Sequence, residues 1–378
     1  MSQAEVQARP RRSKLRSNEG NAGWIFVSPM LVILGLFLVL PILMAVWVSL
    51  LDWNTNDGDP FAGAGTFVGL DNYKNLLASE GLARQDFMTS IRNNAYYVLL
   101  VVPLQTALAL LLASLINARR LKGRGLFRTA FFFPSITSSV AISIVFVFLF
   151  VGNGGVNKVL GWVGFSGPSW LTDPRGVFWI LLDKVGLVDI DSPPGALAEH
   201  GVLGLSWWDW FAGPSVAMTA VMMLVIWTTS GTFMLMFVAA MQDIPEEIDE
   251  AALMDGAGGW QKFWYVTLPQ LKPVLFLVLT LGLIATWQVF DQILIMTQGG
   301  PDKTTLSPAY LSYTASFTGQ DWGGGAAISF VLFAIILTMA LIQRWVMRDK
   351  DLPRKKRRGR TKPPPPAIPT RRDDKVAS

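Results

Sequence analysis

The 378-residue chain has no cysteine, one histidine and few charged residues, and each shortage excludes a class of function. Without cysteine the chain can form neither a disulfide framework nor a thiolate metal site. The single histidine, His200, rules out a metal site built from several histidines. Charged residues make up 16% of the sequence, whereas soluble domains contain about 25%. The composition therefore indicates a membrane protein.

Motifs for catalysis are missing as well. The sequence contains no G-x-x-x-x-G-K-[ST] loop that would cradle the phosphates of ATP, no G-x-S-x-G elbow and no H-E-x-x-H pair. We therefore expect a chain that is not an enzyme and that binds no cofactor. Any energy that it uses must come from an ion gradient or from a partner subunit.

Six mostly apolar stretches contain no Asp, Glu, Lys or Arg, and each predicts a membrane-spanning helix; they are 20–51, 93–118, 129–157, 210–242, 273–290 and 322–343. A helix needs about 20 apolar residues to cross roughly 30 Å of hydrocarbon. A β-barrel would show alternating segments of about ten residues instead. The expected fold is an all-α polytopic membrane protein with six transmembrane helices, at about 24–51, 94–117, 127–151, 212–241, 271–295 and 324–346.

The distribution of Lys and Arg predicts the orientation. The two termini and the loops on their side hold 25 basic residues, and the three opposite loops hold 7. Because basic residues favour the cytoplasmic side, both termini are expected inside. The basic run 355–360 (K-K-R-R-G-R) resembles a nuclear signal or a nucleic-acid patch, but it directly follows a membrane span. We therefore read it as a cluster held near anionic membrane lipid, with no nucleic-acid partner.

These spans divide the chain into three parts. Residues 1–22 form a cytoplasmic tail, 23–347 a transmembrane domain, and 348–378 a basic, proline-rich cytoplasmic tail. The transmembrane domain includes an external insert at 175–210 and a cytoplasmic loop at 243–269.

The loop 243–269 is acidic although it lies on the positive side. Asp243 is expected to cap a helix with Glu246 as its reciprocal partner, and Gly256 to end that helix. A second short helix is expected over 260–267, before Leu268 and Pro269. Two short helices joined by a glycine form a compact projection that fits a basic groove on a partner. The alternative is an ordinary amphipathic connection between two spans.

The spacing within this loop resembles the EAA motif by which permeases of binding-protein-dependent ABC importers contact their ATPases. That motif is E-A-A, three residues, G, nine residues, then I-x-L-P, and Val266 stands here where isoleucine is usual. The resemblance implies a type I ABC importer permease fold, with ATP hydrolysed by a partner. The residues that it assigns to ATPase coupling are Glu250, Ala251, Ala252, Asp255, Gly256, Leu268 and Pro269.

Further segments resemble the carbohydrate branch of this family. They include 67–77 (F-V-G-L-D-N-Y-K-N-L-L), 126–134 and 297–301 (T-Q-G-G-P). The resemblance implies a bacterial inner-membrane subunit that works with a second permease subunit, two ATPase subunits and an extracytoplasmic solute-binding protein. The insert 175–210 departs from the family pattern. It is either part of the contact with the binding protein or a passive extension.

A sugar path needs hydrogen-bonding groups and flat aromatic faces rather than buried charge. Spans four and five supply such residues: Thr229, Ser230, Gly231, Thr232, Trp287, Gln288, Phe290 and Asp291, with Thr228 and Thr286 beside them. Hydroxyls that bond their own helix and rings that form an interfacial belt are the alternatives. An importer of glycerol-phosphate-type solutes remains open, and an ion-coupled carrier is disfavoured because the spans lack coupling charges.

Overall fold

The computed structural model describes residues 15–54, 58–61, 63–117, 122–189 and 194–347, and this part of the chain is mainly helical. Residues 1–14 and 348–378 of the expected tails, and residues 118–121, lie outside it. The first helix begins at Leu15, within the expected N-terminal tail. The helices are α1 Leu15–Leu34, α2 Leu40–Ser49, α3 Asp71–Leu77, α4 Leu82–Asn117, α5 Arg124–Ile136, α6 Ser139–Phe150, α7 Gly155–Trp162, α8 Val177–Lys184, α9 Gly195–Ala198, α10 Trp207–Phe211, α11 Val216–Gln242, α12 Glu246–Met254, α13 Gly259–Lys262, α14 Leu268–Gln270, α15 Lys272–Trp287, α16 Asp291–Met296, α17 Pro308–Tyr313 and α18 Trp322–Val346.

Within the described residues, four helical segments are long and apolar enough to cross a membrane, and the number rises to six if two bent helix pairs each count as one span. The four are Gly23–Ser49, α4, α11 and α18, and they overlap the first, second, fourth and sixth expected spans. The first of them joins α1 to α2 through a π-helical segment, Gly35–Val39.

The expected span 127–151 is not one straight helix. It consists of α5 and α6, which meet at an angle of 99°. Thr137 and Ser138 are extended, with ψ of 148° and 130°. Pro134 lies just before them and cannot donate a hydrogen bond to the helix. The expected straight span is therefore wrong at Thr137 and Ser138, because hydropathy alone does not predict a bend.

The expected span 271–295 begins at one bend and is interrupted at a second point. The helix Gly259–Gln270, which ends with α14, meets α15 at 72° around Leu271. α15 then ends at Trp287, and the backbone leaves the helical region at Phe290 (φ −140°, ψ −62°) before α16 begins. With 16 residues, α15 is about 24 Å long, which is shorter than the hydrocarbon core.

α4 and α11 form the centre of the molecule. α4 has 36 residues and is therefore about 54 Å long, so it extends beyond the hydrocarbon core. Its buried side chains, including Tyr97 and Ala113, pack against the α11 residues Met218, Val221 and Phe237. The outward-facing side chains of the segment Gly23–Ser49 are apolar and exposed, as expected for a surface that meets lipid or another subunit.

The segment 175–210, which is expected to be an external insert, leaves and re-enters the fold at one point. Gly176 forms a β-bridge with Ser215, and the Val177 amide donates to the Pro214 carbonyl oxygen at 2.9 Å. Inside the insert, strands β3 (Gly201–Val202) and β4 (Leu205–Ser206) form a hairpin; β1 (Leu51–Asp52) and β2 (Thr66–Phe67) form another between α2 and α3. The rings of Trp179 and Trp208 stack with centroids 4.2 Å apart. The two ends of the insert therefore lie together, and its described parts, 175–189 and 194–210, are in contact through these two tryptophans.

Asp173 holds the start of the insert in place. Its side chain is nearly buried, and it accepts hydrogen bonds from the Arg175 backbone amide (3.0 Å) and from the Arg175 guanidinium (2.7 Å to Nη2). The hydrogen bonds from Arg175 lower the pKa of Asp173, although burial acts in the opposite direction. Asp173 is therefore a carboxylate at neutral pH.

Candidate functional site

A cavity of about 270 Å³ lies beside the break between α15 and α16. Irregular backbone at membrane depth is tolerated where it is buried in protein or lines a hydrated cavity, and interrupted helices of this kind build solute sites in transporters. α4, α11, α15 and α16 all contribute to the wall. The lining residues are Tyr97, Gln105, Val225, Thr229, Phe233, Gly282, Ala285, Thr286, Gln288, Val289, Phe290, Asp291 and Gln292.

Two polar groups in this wall are buried without a hydrogen-bond partner. Gln105 is 1% exposed; the Thr229 hydroxyl lies 2.6 Å from its Oε1, but its Nε2 has no partner. The Tyr97 hydroxyl is also unpartnered, and Tyr97 is fully buried. Leaving such a group without a partner costs about 1–3 kcal/mol. Tyr97 and Gln105 thus line the cavity, and each has one hydrogen-bonding group without a partner.

Four of the eight residues expected along a sugar path line this cavity, namely Thr229, Gln288, Phe290 and Asp291. Asp291 is exposed in the first turn of α16. The structure thus brings polar residues of spans four and five to one wall, and Phe290 adds the face of an aromatic ring.

The other four expected path residues lie elsewhere. The Ser230 hydroxyl donates to the Trp227 carbonyl oxygen, and Thr232 is exposed outside the cavity. A Cβ at Gly231 would lie 2.2 Å from the Phe131 carbonyl oxygen, so this glycine allows α5 and α11 to pack closely. Trp287 is buried in a separate cluster with Leu332 and Ile336. For Gly231 and Trp287 the neighbours are other helices, which the sequence of one span does not reveal.

Sequence reasoning missed three polar residues of the wall: Tyr97, Gln105 and Gln292. The Gln292 amide donates to the Ser139 hydroxyl at 3.0 Å and so joins α16 to α6. A signal was present for Gln105, because a glutamine inside a long apolar run requires a partner or a function.

The segment 243–269 forms the projection that the sequence predicts. α12 ends in a Schellman motif: the Ala257 amide donates to the Ala252 carbonyl oxygen (3.0 Å) and the Gly256 amide to that of Leu253 (3.0 Å). Gly256 has φ +77°, which favours glycine. The Lys262 ammonium lies 2.6 Å from the Asp249 carboxylate and ties α13 to α12.

Two details of this segment differ from expectation. Asp243 does not cap α12; it terminates α11, and Pro245 precedes α12 without a side-chain cap. The second helix does not stop before Leu268 and Pro269. It continues as a π-helical segment, Phe263–Thr267, and then as α14, which contains both Leu268 and Pro269.

The projection has an exposed face with both acidic and apolar side chains. Of the residues expected to couple to an ATPase, Glu250, Ala251, Asp255, Gly256 and Pro269 are exposed, Leu268 is half-buried and Ala252 is buried. Sequence reasoning missed the apolar neighbours Met254 (88% exposed), Tyr265 (81%) and Trp260 (73%). An exposed apolar patch with a charged rim is typical of a protein-binding surface.

The interrupted helices around a polar cavity and the exposed loop projection define a helical membrane transport component. The chain belongs to the family of binding-protein-dependent transport system inner membrane components, whose model matches residues 105–351.

Two relatives that the chain resembles over most of its length are named as permeases of sugar transport systems. The lactose transport system permease protein LacF of Rhizobium radiobacter is 29% identical over 346 residues, which are 90% of this chain and 98% of LacF. The trehalose/maltose transport system permease protein MalF of Thermococcus litoralis is 29% identical over 330 residues, 87% of this chain and 95% of MalF. A crystal structure of a bacterial ABC transporter involved in import of the acidic polysaccharide alginate has a similar fold. It gives a TM-score of 0.65 at 20% identity over 90% of this chain and 100% of that chain.

Proposed function

We propose that this chain is the permease subunit of an ABC importer that carries a sugar across the bacterial cytoplasmic membrane. The observation that carries the proposal is the cavity at the α15–α16 break, with the unpartnered Gln105 Nε2 and Tyr97 hydroxyl in its wall. Sugars present many hydroxyl groups and apolar ring faces, which suit neutral hydrogen-bonding groups beside Phe290. The names of LacF and MalF, which transport lactose and trehalose or maltose, support this substrate class.

The composition of the cavity disfavours a phosphorylated solute such as a glycerol phosphate. Among the described residues that line it, none is Lys or Arg, and Asp291 is acidic. A phosphate in this cavity would face a carboxylate and no compensating cation, which is costly in a partly buried site.

In the proposed topology the chain crosses the membrane six times with both termini in the cytoplasm. The bent pair α5–α6 counts as one crossing, and the fifth crossing is α15 with the short helix α16, so the six are Gly23–Ser49, α4, α5–α6, α11, α15–α16 and α18. The excess of basic residues on the side of the termini supports this orientation. It places the insert 175–210 outside and the projection 243–269 inside.

The projection is proposed to be the contact with the ATPase. Both of its ends continue into helices that line the cavity: α11 carries Thr229 and precedes α12, and α15 carries Thr286 and follows α14. A displacement of the projection therefore reaches both walls of the cavity through continuous chain. Glu250, Ala251, Ala252, Asp255, Gly256, Leu268 and Pro269 are the residues proposed for this contact.

Transport is proposed to proceed by alternating access. Two partner ATPases close on ATP and pull the projection, and the two permease subunits rock between outward- and inward-open states. A solute-binding protein delivers the sugar from outside. In the cavity, Gln105 Nε2 and the Tyr97 hydroxyl donate to the sugar, Thr229 holds the Gln105 amide in orientation, and Asp291 accepts from sugar hydroxyls.

The test is reconstitution of the complete importer, with both permeases, the ATPases and the binding protein, in liposomes. We expect ATP-dependent uptake of at least one of labelled lactose, maltose, trehalose and maltohexaose, with no uptake when ATP or the binding protein is omitted. Uptake of labelled glycerol 3-phosphate with none of the four sugars transported would contradict the proposal.

A further inference from the structure

Six aromatic rings form a continuous series that begins in the cavity and ends at the outer end of α18. Phe290, in the cavity wall, lies 5.1 Å from Tyr313 and 6.3 Å from Tyr310, measured between ring centroids. The series continues from Tyr313 to Phe317 (5.0 Å), from Phe317 to Trp322 (4.8 Å) and from Trp322 to Trp53 (6.0 Å). We call these six residues the aromatic series.

A second cavity lies at the far end of the aromatic series. It measures about 230 Å³ and is lined by Trp53 and Trp322 together with three serines, Ser312, Ser316 and Ser329. Aromatic faces beside hydroxyl groups repeat the chemistry of the cavity at the α15–α16 break. The series therefore joins the cavity at the α15–α16 break to a second, more apolar cavity that also has aromatic faces and serine hydroxyls.

The elements that carry these rings are fixed against each other. A Cβ at Gly325 would lie 2.0 Å from the Ser316 Oγ, so α18 and the π-helical segment Thr314–Thr318 are in close contact. The Ser312 hydroxyl also donates to the Gly325 carbonyl oxygen at 2.8 Å. The elements that carry Phe317 and Trp322 therefore pack directly against each other.

Several of the rings are accessible. Phe317 is 61% exposed, and Phe290, Tyr313, Trp322 and Trp53 are partly exposed. An aromatic face gives a sugar ring apolar contact that does not depend on one orientation of its hydroxyls, so adjacent faces allow a sugar to pass from one to the next.

We propose that the aromatic series is a guiding surface for sugar, from an outer holding site at Trp53 and Trp322 down to Phe290 in the transport cavity. The proposal rests on the proposed function and adds the route by which the sugar reaches its site. The main alternative is an interfacial belt of aromatic residues. In a belt the rings contact lipid, whereas in the proposed route they contact the sugar.

Uptake by the reconstituted importer tests the route. Phe317→Leu and Trp53→Leu are compared with Phe165→Leu, which removes an outer aromatic ring of similar exposure (66%) outside the series. Stacking on one ring changes affinity by roughly three- to tenfold. We expect uptake of labelled maltohexaose or maltose at subsaturating sugar to fall by that factor in the two series variants, with near-normal uptake at saturation and in Phe165→Leu. Equal uptake per assembled complex in all three variants would overturn the guiding surface.

Access to the series during transport gives a second measurement. The native chain has no cysteine, so Thr318→Cys places a single thiol beside Phe317 and keeps the ring. We expect sugar-loaded binding protein and ATP to slow labelling of this thiol by a membrane-impermeant maleimide, relative to sugar-free binding protein and ATP. The control Val163→Cys should show no change. The route would be refuted if labelling at position 318 did not depend on sugar while the importer took up sugar normally. The proposed function itself would be refuted if the unaltered importer took up no sugar.

Discussion

The Thr229 hydroxyl lies 2.6 Å from the Gln105 Oε1 and joins α11 to α4 at the wall of the transport cavity. This contact engages the carbonyl end of the Gln105 amide and leaves its Nε2 without a partner. A third helix, α15, lies directly against the same amide, because a Cβ added at Gly282 would be 2.5 Å from that Nε2. Three helices therefore fix the orientation of one amide donor.

Gln105→Leu is expected to lower affinity for sugar while the complex still assembles. The substitution removes a buried donor that has no partner, and the Thr229 hydroxyl keeps an acceptor in the Val225 carbonyl oxygen at 2.7 Å. The loss of one neutral hydrogen bond to the sugar predicts a roughly two- to tenfold rise in the KM for uptake. The measurement is initial uptake against sugar concentration in liposomes.

Gln343→Leu is the matched control for Gln105→Leu. Gln343 also lies in a long apolar helix and has one unpartnered amide atom, Oε1, but it is not in the cavity wall. A rise in KM of the same size in both variants would assign the effect to the loss of a polar side chain in a span rather than to sugar contact.

Gly282→Ala is expected to act through Gln105. The new methyl group would displace the end of a flexible side chain rather than backbone, so the helices should still pack. We expect a rise in KM like that of Gln105→Leu and little further change in the double variant, because both changes remove the same interaction. Fully additive effects in the double-mutant cycle would mean that Gly282 acts independently of the amide.

Glu250→Lys and Gly256→Trp are expected to uncouple ATP hydrolysis from uptake. Both positions are exposed on the projection. Glu250→Lys reverses a charge at the proposed contact, and Gly256→Trp places a bulky L-residue at φ +77°, at a cost of about 1–2 kcal/mol. The complex should insert and assemble, while uptake falls without a matching fall in basal ATPase rate. The control is Gly35→Ala, at a glycine with no neighbour within 4 Å. Normal uptake in the Glu250→Lys and Gly256→Trp variants would exclude the projection as the coupling contact.

Acid is expected to loosen the base of the external insert. Hydrogen bonds from Arg175 lower the pKa of Asp173 in the folded protein, below about 3.9 in the unfolded chain. Their stabilisation is therefore complete above about pH 4–5 and is lost as pH falls through the folded pKa. Because Arg175 is more than half exposed, the loss is about 1–2 kcal/mol.

Hydrogen–deuterium exchange of segment 170–180 measures this loss. We expect exchange in the native chain to be slow from pH 7 to pH 5, after correction for intrinsic rates, and faster below pH 4. Asp173→Asn should exchange fast throughout. An Asp173→Asn variant that is protected as well as the native chain would show that the hydrogen bonds to Arg175 do not hold this segment.

Charge-free apolar runs predict where helices lie in this chain, but they do not predict where those helices bend. α11 was expected at 212–241 and is found at Val216–Gln242. The hydropathy of the sequence does not mark the 99° bend at Thr137 and Ser138. It also does not mark the break at Gln288 to Phe290. They depend on what packs around them, such as the hydrogen bond from Gln292 of α16 to Ser139 of α6.

The sequence likewise predicts one part of the candidate site but not the other. Local spacing predicts that Gly256 ends α12, because a Schellman motif involves only neighbouring residues. The cavity wall instead depends on contacts between distant parts of the chain. Thr229 is in the wall and Ser230 is not, since one residue on a helix turns the side chain by about 100°. Gln105 joins the site through a contact with α11 and a close approach to α15, neither of which can be derived from one segment.

The β-bridge between Gly176 and Ser215 brings the two ends of the external insert together. A folded module whose own termini are close together, such as a fluorescent domain or an epitope, can therefore be grafted at this junction without stretching the chain that enters α11. Deleting residues 177–214 would instead remove the buried Leu205 and the Asp209 carboxylate that lies 3.8 Å from the Arg92 guanidinium. In the proposed topology, such a chimera displays its module on the outer surface.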